Sequence, residues 1–454
     1  MKILLTGASG YIGGHLLRVL LNAGHDVYCA GRSKVKLSDR YDNCHFVSHD
    51  FVKSDSLQHV PERFDLAYYL MHSMKGKVKG FEQTEALVAE NFVRAVKPLN
   101  VKQVIYLSGL THTKDLSPHF QSRYKVEEIL RNSGIPCTII QASIIIGAGS
   151  ASFEIIRDLV EKLPVMIAPK WLRTRSQPVS IKDVVFYLDA LKLRNEFYGR
   201  SLEAAGPDVV SYKEMLKAYA RVRKLRRWIF VVPVMTPRLS SYWLYFVTST
   251  DYALAVNLVD SMKIESVSKT NRLSRILEHK PQTLNQALKS ALHVKQGELP
   301  AYAIYRDFRQ KPFLQGNMEE VKRRIFSIGG ENGWYYANWL WRLRAALDRM
   351  VGGKGMKTGR RVSEPVRPGD TIDFWRVEYA NIAEGRLLLK AEMKLPGDAW
   401  LEFRVDKNQN RLYQTAVFRP KGLMGRLYWL LVLPLHAIIF RGLISKLTSD
   451  KSVQ

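Results

Sequence analysis

The chain reads as an α/β protein: a doubly wound parallel Rossmann sheet, a helical lobe on its substrate side, and a separate C-terminal α+β domain. Three observations carry this reading. Short β-branched runs alternate with longer helical patterns over residues 1–150. A glycine-rich turn, Thr-Gly-Ala-Ser-Gly-Tyr-Ile-Gly at residues 6–13, follows the first run and opens a helical pattern. After about residue 305, strand-like runs follow one another without helices between them. Alternation implies parallel strands joined by helical crossovers, whereas uninterrupted short strands pair antiparallel.

Taken in order, the expected strands are 2–5, 26–30, 44–48, 66–70, 103–108 and 137–142, with helical patterns such as 11–23 and 84–97 between them. Residues 152–163 and 182–193 are amphipathic, and the turn Ala-Gly-Pro-Asp at 205–208 leads into a helix at 212–222. The apolar, aromatic stretch 233–262 reads as helices covering a cleft. Further on, strands are expected at 373–378, 386–393, 399–405 and 412–418, between helices at 335–351 and 423–447. The expected domains are therefore 1–205 (nucleotide-binding), 206–305 (helical lobe or connector) and 306–454 (C-terminal α+β). The chain's 454 residues suit such a division, since single cores rarely grow past about 250–300 residues.

Cys29, Cys44 and Cys137 are too few and too scattered for a disulfide framework or a metal knuckle, and they sit in apolar, strand-like runs. No metal site is expected. The net charge of +27 can draw in an anionic cofactor, an anionic membrane surface or nucleic acid. The basic residues are dispersed, and no helix-turn-helix, zinc finger or ribonucleoprotein motif accompanies them, which argues against nucleic acid. The opening apolar run is about four residues long, well short of a signal h-region. The longest apolar run, 427–440, contains Pro434 and His436 and suits a buried or interfacial helix better than a span of about 20 residues. Cytoplasmic residence is the expectation, with peripheral contact at a membrane surface left open.

The glycine turn carries the most chemistry. Gly7 permits a tight turn, Gly10 allows backbone to approach a pyrophosphate, and Gly13 allows the helix to pack on its strand. With Ser9, Tyr11 and Ile12 they form the expected phosphate site, where backbone N–H groups and a helix dipole face an anion. About twenty residues on, an acid would bind the ribose hydroxyls of NAD, whereas an Arg suits a 2′-phosphate. Arg32 stands there, with Ser33 and Lys34 beside it, so NADP(H) is expected in preference to NAD(H). The alternative is an Arg stacked on adenine, indifferent to the ribose substituent. Asp50 and Phe51, after the third strand, place a carboxylate near the adenine amino group or make a simple strand-end turn. His72 and Ser73 end the fourth strand, on the edge where such sheets bind ligands, and belong beside the nicotinamide ribose.

Four motifs carry a family resemblance: residues 6–13, 68–73 (Tyr-Tyr-Leu-Met-His-Ser), 107–110 (Leu-Ser-Gly-Leu) and 177–184 (Gln-Pro-Val-Ser-Ile-Lys-Asp-Val). Through them residues 1–205 resemble the atypical, extended branch of the short-chain dehydrogenase/reductase superfamily. They are also similar to NmrA-like regulators and to the NADPH-binding accessory subunit of respiratory complex I. The remainder, including Ile-Gly-Gly-Glu-Asn-Gly-Trp at 328–334 and Asp-Phe-Trp-Arg-Val-Glu at 373–378, resembles a bacterial group that joins this domain to an uncharacterised C-terminal module. That module is similar to helix-grip, lipid-binding-type folds.

The resemblance implies a Tyr-x-x-x-Lys pair, whose spacing puts both side chains on one helix face, and a Ser that orients substrate. Ser108 stands where that Ser belongs, but the pair is replaced by His119 and Arg123. Arg123 can clamp ribose but cannot usefully lose a proton. A free His titrates at about 6.5 and a free Tyr at about 10, so the two are different acids. Two readings follow. One is an oxidoreductase acting on an apolar carbonyl or quinone-like compound, with Ser108, His119 and Arg123 in its site. The other is a non-catalytic sensor or scaffold that holds the dinucleotide.

Overall fold

The computed structural model describes residues 1–32, 44–72, 81–110, 112, 118–232, 247–248, 252–270, 272–293, 299, 305–350, 352, 366–407 and 409–449. Contacts group the chain into two units: Met1–Tyr245 with Thr250–His293, and Phe246–Ser249 with Val294–Gln454. Residues 206–245 and 250–293 group with the first unit.

That first unit is built on seven parallel strands: β1 (Lys2–Thr6), β2 (Asp26–Gly31), β3 (His45–Ser48), β4 (Leu66–Tyr69), β5 (Val104–Gly109), β6 (Cys137–Ala142) and β7 (Ser201–Ala204). Their order is β7-β6-β5-β4-β1-β2-β3. The direction of winding therefore reverses between β1 and β4, and the crevice at their carboxyl ends is where such sheets bind ligands. The strands are apolar on both sides because both faces are covered: Ile3, Leu4 and Leu5 are all fully buried.

Eight helices of this unit matter here: α1 (Tyr11–Asn22), α2 (Phe81–Val96), α3 (Pro118–Arg131), α4 (Ala151–Lys162), α5 (Ile181–Ala190), α6 (Tyr212–Val222), α7 (Tyr252–Met262) and α8 (Leu284–Leu292). Leu16, Leu17 and Leu20 of α1 pack with Val184, Val185 and Leu188 of α5 and with Ile3 and Leu5 of β1. Leu4, whose side chain alternates to the opposite face, joins Phe92 and Val96 of α2 and Val126 and Leu130 of α3. Six expected strands and five expected helices thus appear within about three residues of their places. β7 is an addition: four residues at the sheet edge, half of them polar, carry too little pattern to be seen.

The second unit carries an antiparallel sheet of β8 (Tyr305–Pro312), β9 (Thr371–Ile372), β10 (Trp375–Asn381), β11 (Arg386–Ala391), β12 (Gly397–Asp406) and β13 (Arg411–Pro420), in the order β8-β13-β12-β11-β10-β9. Its helices are α9 (Met318–Phe326), α10 (Asn338–Met350) and α11 (Gly422–Leu447). β8 escapes a hydrophobic pattern because its sequence is Tyr-Arg-Asp-Phe-Arg-Gln-Lys-Pro, the charged composition that keeps an edge strand from pairing further. The motif at 328–334 is structural. Gly329 has φ +87°, and a Cβ there would lie 2.3 Å from the Ile372 side chain. Trp334 is fully buried, stacks on Trp341 at 4.4 Å, and donates its indole N–H to Asp373 at 2.8 Å. Asp373 is therefore committed to the core. Arg376 with Glu392, Arg386 with Glu402 and Lys390 with Glu378 pair as ions, the behaviour of a polar sheet face.

Candidate functional site

The site is built where β1 and β4 diverge. The Thr6 hydroxyl donates to the Tyr68 carbonyl at 2.9 Å and accepts the Leu70 N–H at 3.3 Å, pinning the two strands at their carboxyl ends. The chain then turns through Gly7, whose φ of +72° is left-handed and whose added Cβ would lie 2.4 Å from the Leu70 carbonyl oxygen. Gly10 closes the turn by donating its N–H to the Gly7 carbonyl at 2.9 Å. A Cβ on Gly13 would come 2.2 Å from that same carbonyl oxygen, so only Gly lets α1 seat on the turn. Gly10 differs. Its Cβ would meet nothing but the Gly7 oxygen, at 3.0 Å.

Helix caps sharpen the contrast. α4, α5, α6 and α8 each begin with a Ser or Thr hydroxyl that accepts a first-turn N–H: Ser150, Ser180, Ser211 and Thr283. α1 begins at Gly10 with no side-chain cap and no acid in its first turn. Its first N–H groups have no acceptor within the helix, and no acid in its own first turn offsets the positive end of its dipole. Ser9 is exposed in the turn, while Tyr11 and Ile12 are half-buried. The Tyr11 hydroxyl is turned inward: a Cβ on Gly147 would meet it at 2.3 Å. Burial, with the charge of Glu154, pushes the Tyr11 phenol far above its ordinary pKa, so it stays neutral.

Glu154, on the first turn of α4, has the most unusual carboxyl here. It accepts the Gly149 N–H at 3.0 Å and pairs with Arg157, yet burial pushes its pKa up to about 7.

A second polar group lies at the carboxyl end of β4. His72 Nδ1 is 2.7 Å from one oxygen of Glu85 on α2, and the Ser122 hydroxyl of α3 donates to the other at 2.7 Å. Against the effect of burial, the hydrogen bond from His72, the charges of His72 and Arg123, and the Ser122 hydroxyl hold Glu85 down to about 2. Burial, reinforced by Arg123, lowers the pKa of His72. Near neutral pH the pair is thus a neutral imidazole donating Nδ1–H to an ionised carboxylate, and His72 is charged only at more acidic pH. Ser108 is buried at the end of β5, on the same strand face as Tyr106. Arg123 donates to the Leu107 carbonyl at 2.9 Å, so its guanidinium is tied to β5 beside this cluster. His119 lies in the first turn of α3, its side chain outside the described residues.

The adenosine end is less defined. Arg32 is exposed just past β2, and Ser33 and Lys34 lie outside the described residues, as does Ser73. Asp50 accepts the Val52 N–H at 3.1 Å in a strand-end turn. Phe51 is core: its ring packs at 5.9 Å from that of Phe92 and its carbonyl accepts the Asn91 amide at 2.8 Å. Among the described residues no cluster of His, Cys, Asp and Glu could hold a metal. None of the three cysteines is in a disulfide, and Cys29 and Cys137 are buried. Asp183 holds residues 279–282 in place, 2.7 Å from His279 Nε2 and 3.0 Å from the Gln282 N–H it accepts. Glu85, Ser122 and Glu154 escaped the sequence reading because nothing in their spacing announces them; only the fold brings them to this edge.

No curated protein matches the chain. Among solved structures, a nucleoside-diphosphate-sugar epimerase from Staphylococcus aureus is similar, at 16% identity and a TM-score of 0.50, covering 64% of this chain and 100% of that one. A UDP-glucuronic acid 4-epimerase from Bacillus cereus, solved with UDP-glucuronic acid and NAD, is 17% identical, with a TM-score of 0.47, covering 64% of this chain and 98% of that one. The first of these likenesses supports the fold. The family models go further: residues 1–224 match the NmrA-like family, and residues 300–443 match the family described as Protein of unknown function (DUF2867). The chain thus joins a segment that matches the NmrA-like family, residues 1–224, to one that matches a family of unknown function, residues 300–443.

Proposed function

We propose that the protein binds a nicotinamide dinucleotide on the turn from Gly7 to Gly13, with NADP(H) preferred over NAD(H). The observation that carries this is the difference among the three glycines. Gly7 and Gly13 are required by the protein's own backbone, whereas the space in front of Gly10 is contested by nothing but one carbonyl. An uncapped helix start at the β1/β4 switch point is suited to a pyrophosphate, whose charge its N–H groups and dipole attract. Exposed Arg32 supplies a cation for a 2′-phosphate. Titration with NADPH and NADH tests the reading. NADPH should bind more tightly, and Arg32→Ala should narrow the difference; equal affinities in both proteins would remove the preference.

A reductase reading is favoured by the buried His72–Glu85–Ser122 cluster beside Arg123 and Ser108. Ionisable groups brought together at the carboxyl edge of such a sheet are characteristic of acid–base sites. The bound dinucleotide would supply a hydride to a carbonyl carbon of an apolar substrate. Ser108 would hold the carbonyl oxygen, His119 would give it a proton, and Glu85 would fix the orientation of His72. Single-turnover oxidation of bound NADPH by quinones, ketones and enones is the test. His119→Ala should slow it by about 10²–10⁴. If no compound oxidises NADPH, the sensor or scaffold reading stands instead.

A further inference from the structure

Helix α11 is apolar on two sides. One side, with Trp429, Phe440, Leu443, Ile444 and Leu447, is buried in the second unit. The other carries Leu423, Leu427, Leu430, Leu431, Leu435 and Ile438, all exposed, Leu430 at 61% and Leu431 at 79%. Leu423 to Ile438 is about 22 Å of helix at 1.5 Å per residue. A continuous exposed stripe of that length is larger than the scattered apolar residues normal on a soluble surface.

We propose that this stripe docks the C-terminal unit onto an anionic lipid bilayer, with α11 lying in the plane of the interface. Charge selects the occupant. α11 contains Arg426, Arg441 and Lys446 and no acid. Arg441 is exposed and continues the line of the leucine stripe, placed to reach headgroups while its stem stays with the apolar chains. The same unit offers a second exposed stripe on α10, Trp339, Leu343 and Met350, flanked by exposed Arg342 and Arg349. With +27 on the whole chain, an anionic surface is attracted, whereas a second copy of this stripe would bring like charges together. Length and composition would let α11 cross a membrane. Crossing would, however, strip Trp429 and Phe440 from the sheet and carry Arg426, whose guanidinium donates to the Thr248 carbonyl at 3.1 Å, into hydrocarbon. The in-plane position keeps all three where they are.

Flotation of the full-length protein with vesicles tests this. The protein should rise with phosphatidylcholine vesicles containing phosphatidylglycerol, less with phosphatidylcholine alone, and less as salt is raised. Leu430→Glu and Leu431→Glu should each lower partitioning by about tenfold or more. Both sites are exposed, so melting temperature should be unchanged. Absence of flotation on anionic vesicles would overturn the proposal. So would a dimer in size-exclusion chromatography that Leu430→Glu dissolves while vesicle binding persists. Resistance to alkaline carbonate extraction would replace docking by spanning.

Discussion

Gly7, Gly10 and Gly13 make separable contributions, and their variants should separate too. Gly7→Ala puts an L side chain at φ +72° and 2.4 Å from a carbonyl oxygen. It should cost at least about 1–2 kcal/mol in denaturant unfolding from the left-handed backbone alone. Gly10→Val should cost less in unfolding than Gly7→Ala, since only the Gly7 carbonyl oxygen at 3.0 Å must give way, while removing dinucleotide binding, because the side chain would occupy the pyrophosphate's place. Glu154 gives a pH signature. Its folded pKa of about 7 lies above the ordinary 4.5, so the folded state binds the extra proton. That contribution to stability is fully present below pH 4.5 and is lost as pH rises through about 7. Thermal melts of Glu154→Gln should show a flatter pH dependence across this window than wild type; equal slopes would show that Glu154 ionises normally.

At the scale of elements, His72, Glu85 and Ser122 tie the end of β4 to α2 and α3. Glu85 has the opposite sign from Glu154: a pKa held at about 2, below 4.5, contributes stability above pH 4.5 that is lost as pH falls through about 2. Glu85→Gln should therefore be destabilised at neutral pH and lose less than wild type on acidification, as melting curves at a series of pH values would report. In the second unit, Trp334→Ala should cost about 3–5 kcal/mol, because it empties a fully buried site and leaves Asp373 without its indole donor. Much of this was legible in the sequence, and the reasons are local. β1 and the turn after it declare themselves because apolar period and glycine spacing act over a few consecutive residues. β7 and β8 did not, since an edge strand needs little apolar pattern. Glu85 and Glu154 were invisible for another reason: the shift of Glu154 comes first from burial, and Glu85 is held by partners distant in sequence, His72 at 13 residues and Ser122 at 37. Of the pair Asp50 and Phe51, read as a carboxylate near adenine or a strand-end turn, Phe51 packs its ring in the core with Phe92, where an aromatic gains from burial.

Over the whole molecule, the charge of +27 gives the cofactor reading a salt dependence. A dinucleotide phosphate is strongly anionic, and surface charges act over about 8 Å at physiological ionic strength. NADPH affinity should therefore weaken as salt rises, and NADH affinity less so, because the 2′-phosphate adds charge opposite Arg32. The two units carry different readings, a phosphate turn in one and an exposed apolar helix in the other, so variants in α11 should not alter cofactor binding. The central claim is that the dinucleotide sits on the turn at Gly10. Calorimetric titration of NADPH into wild type and into Gly10→Val, each verified as folded by its melting temperature, tests it most directly. The account predicts saturable binding to wild type and none to a folded Gly10→Val. Binding retained by the variant, or absent from wild type, would contradict it.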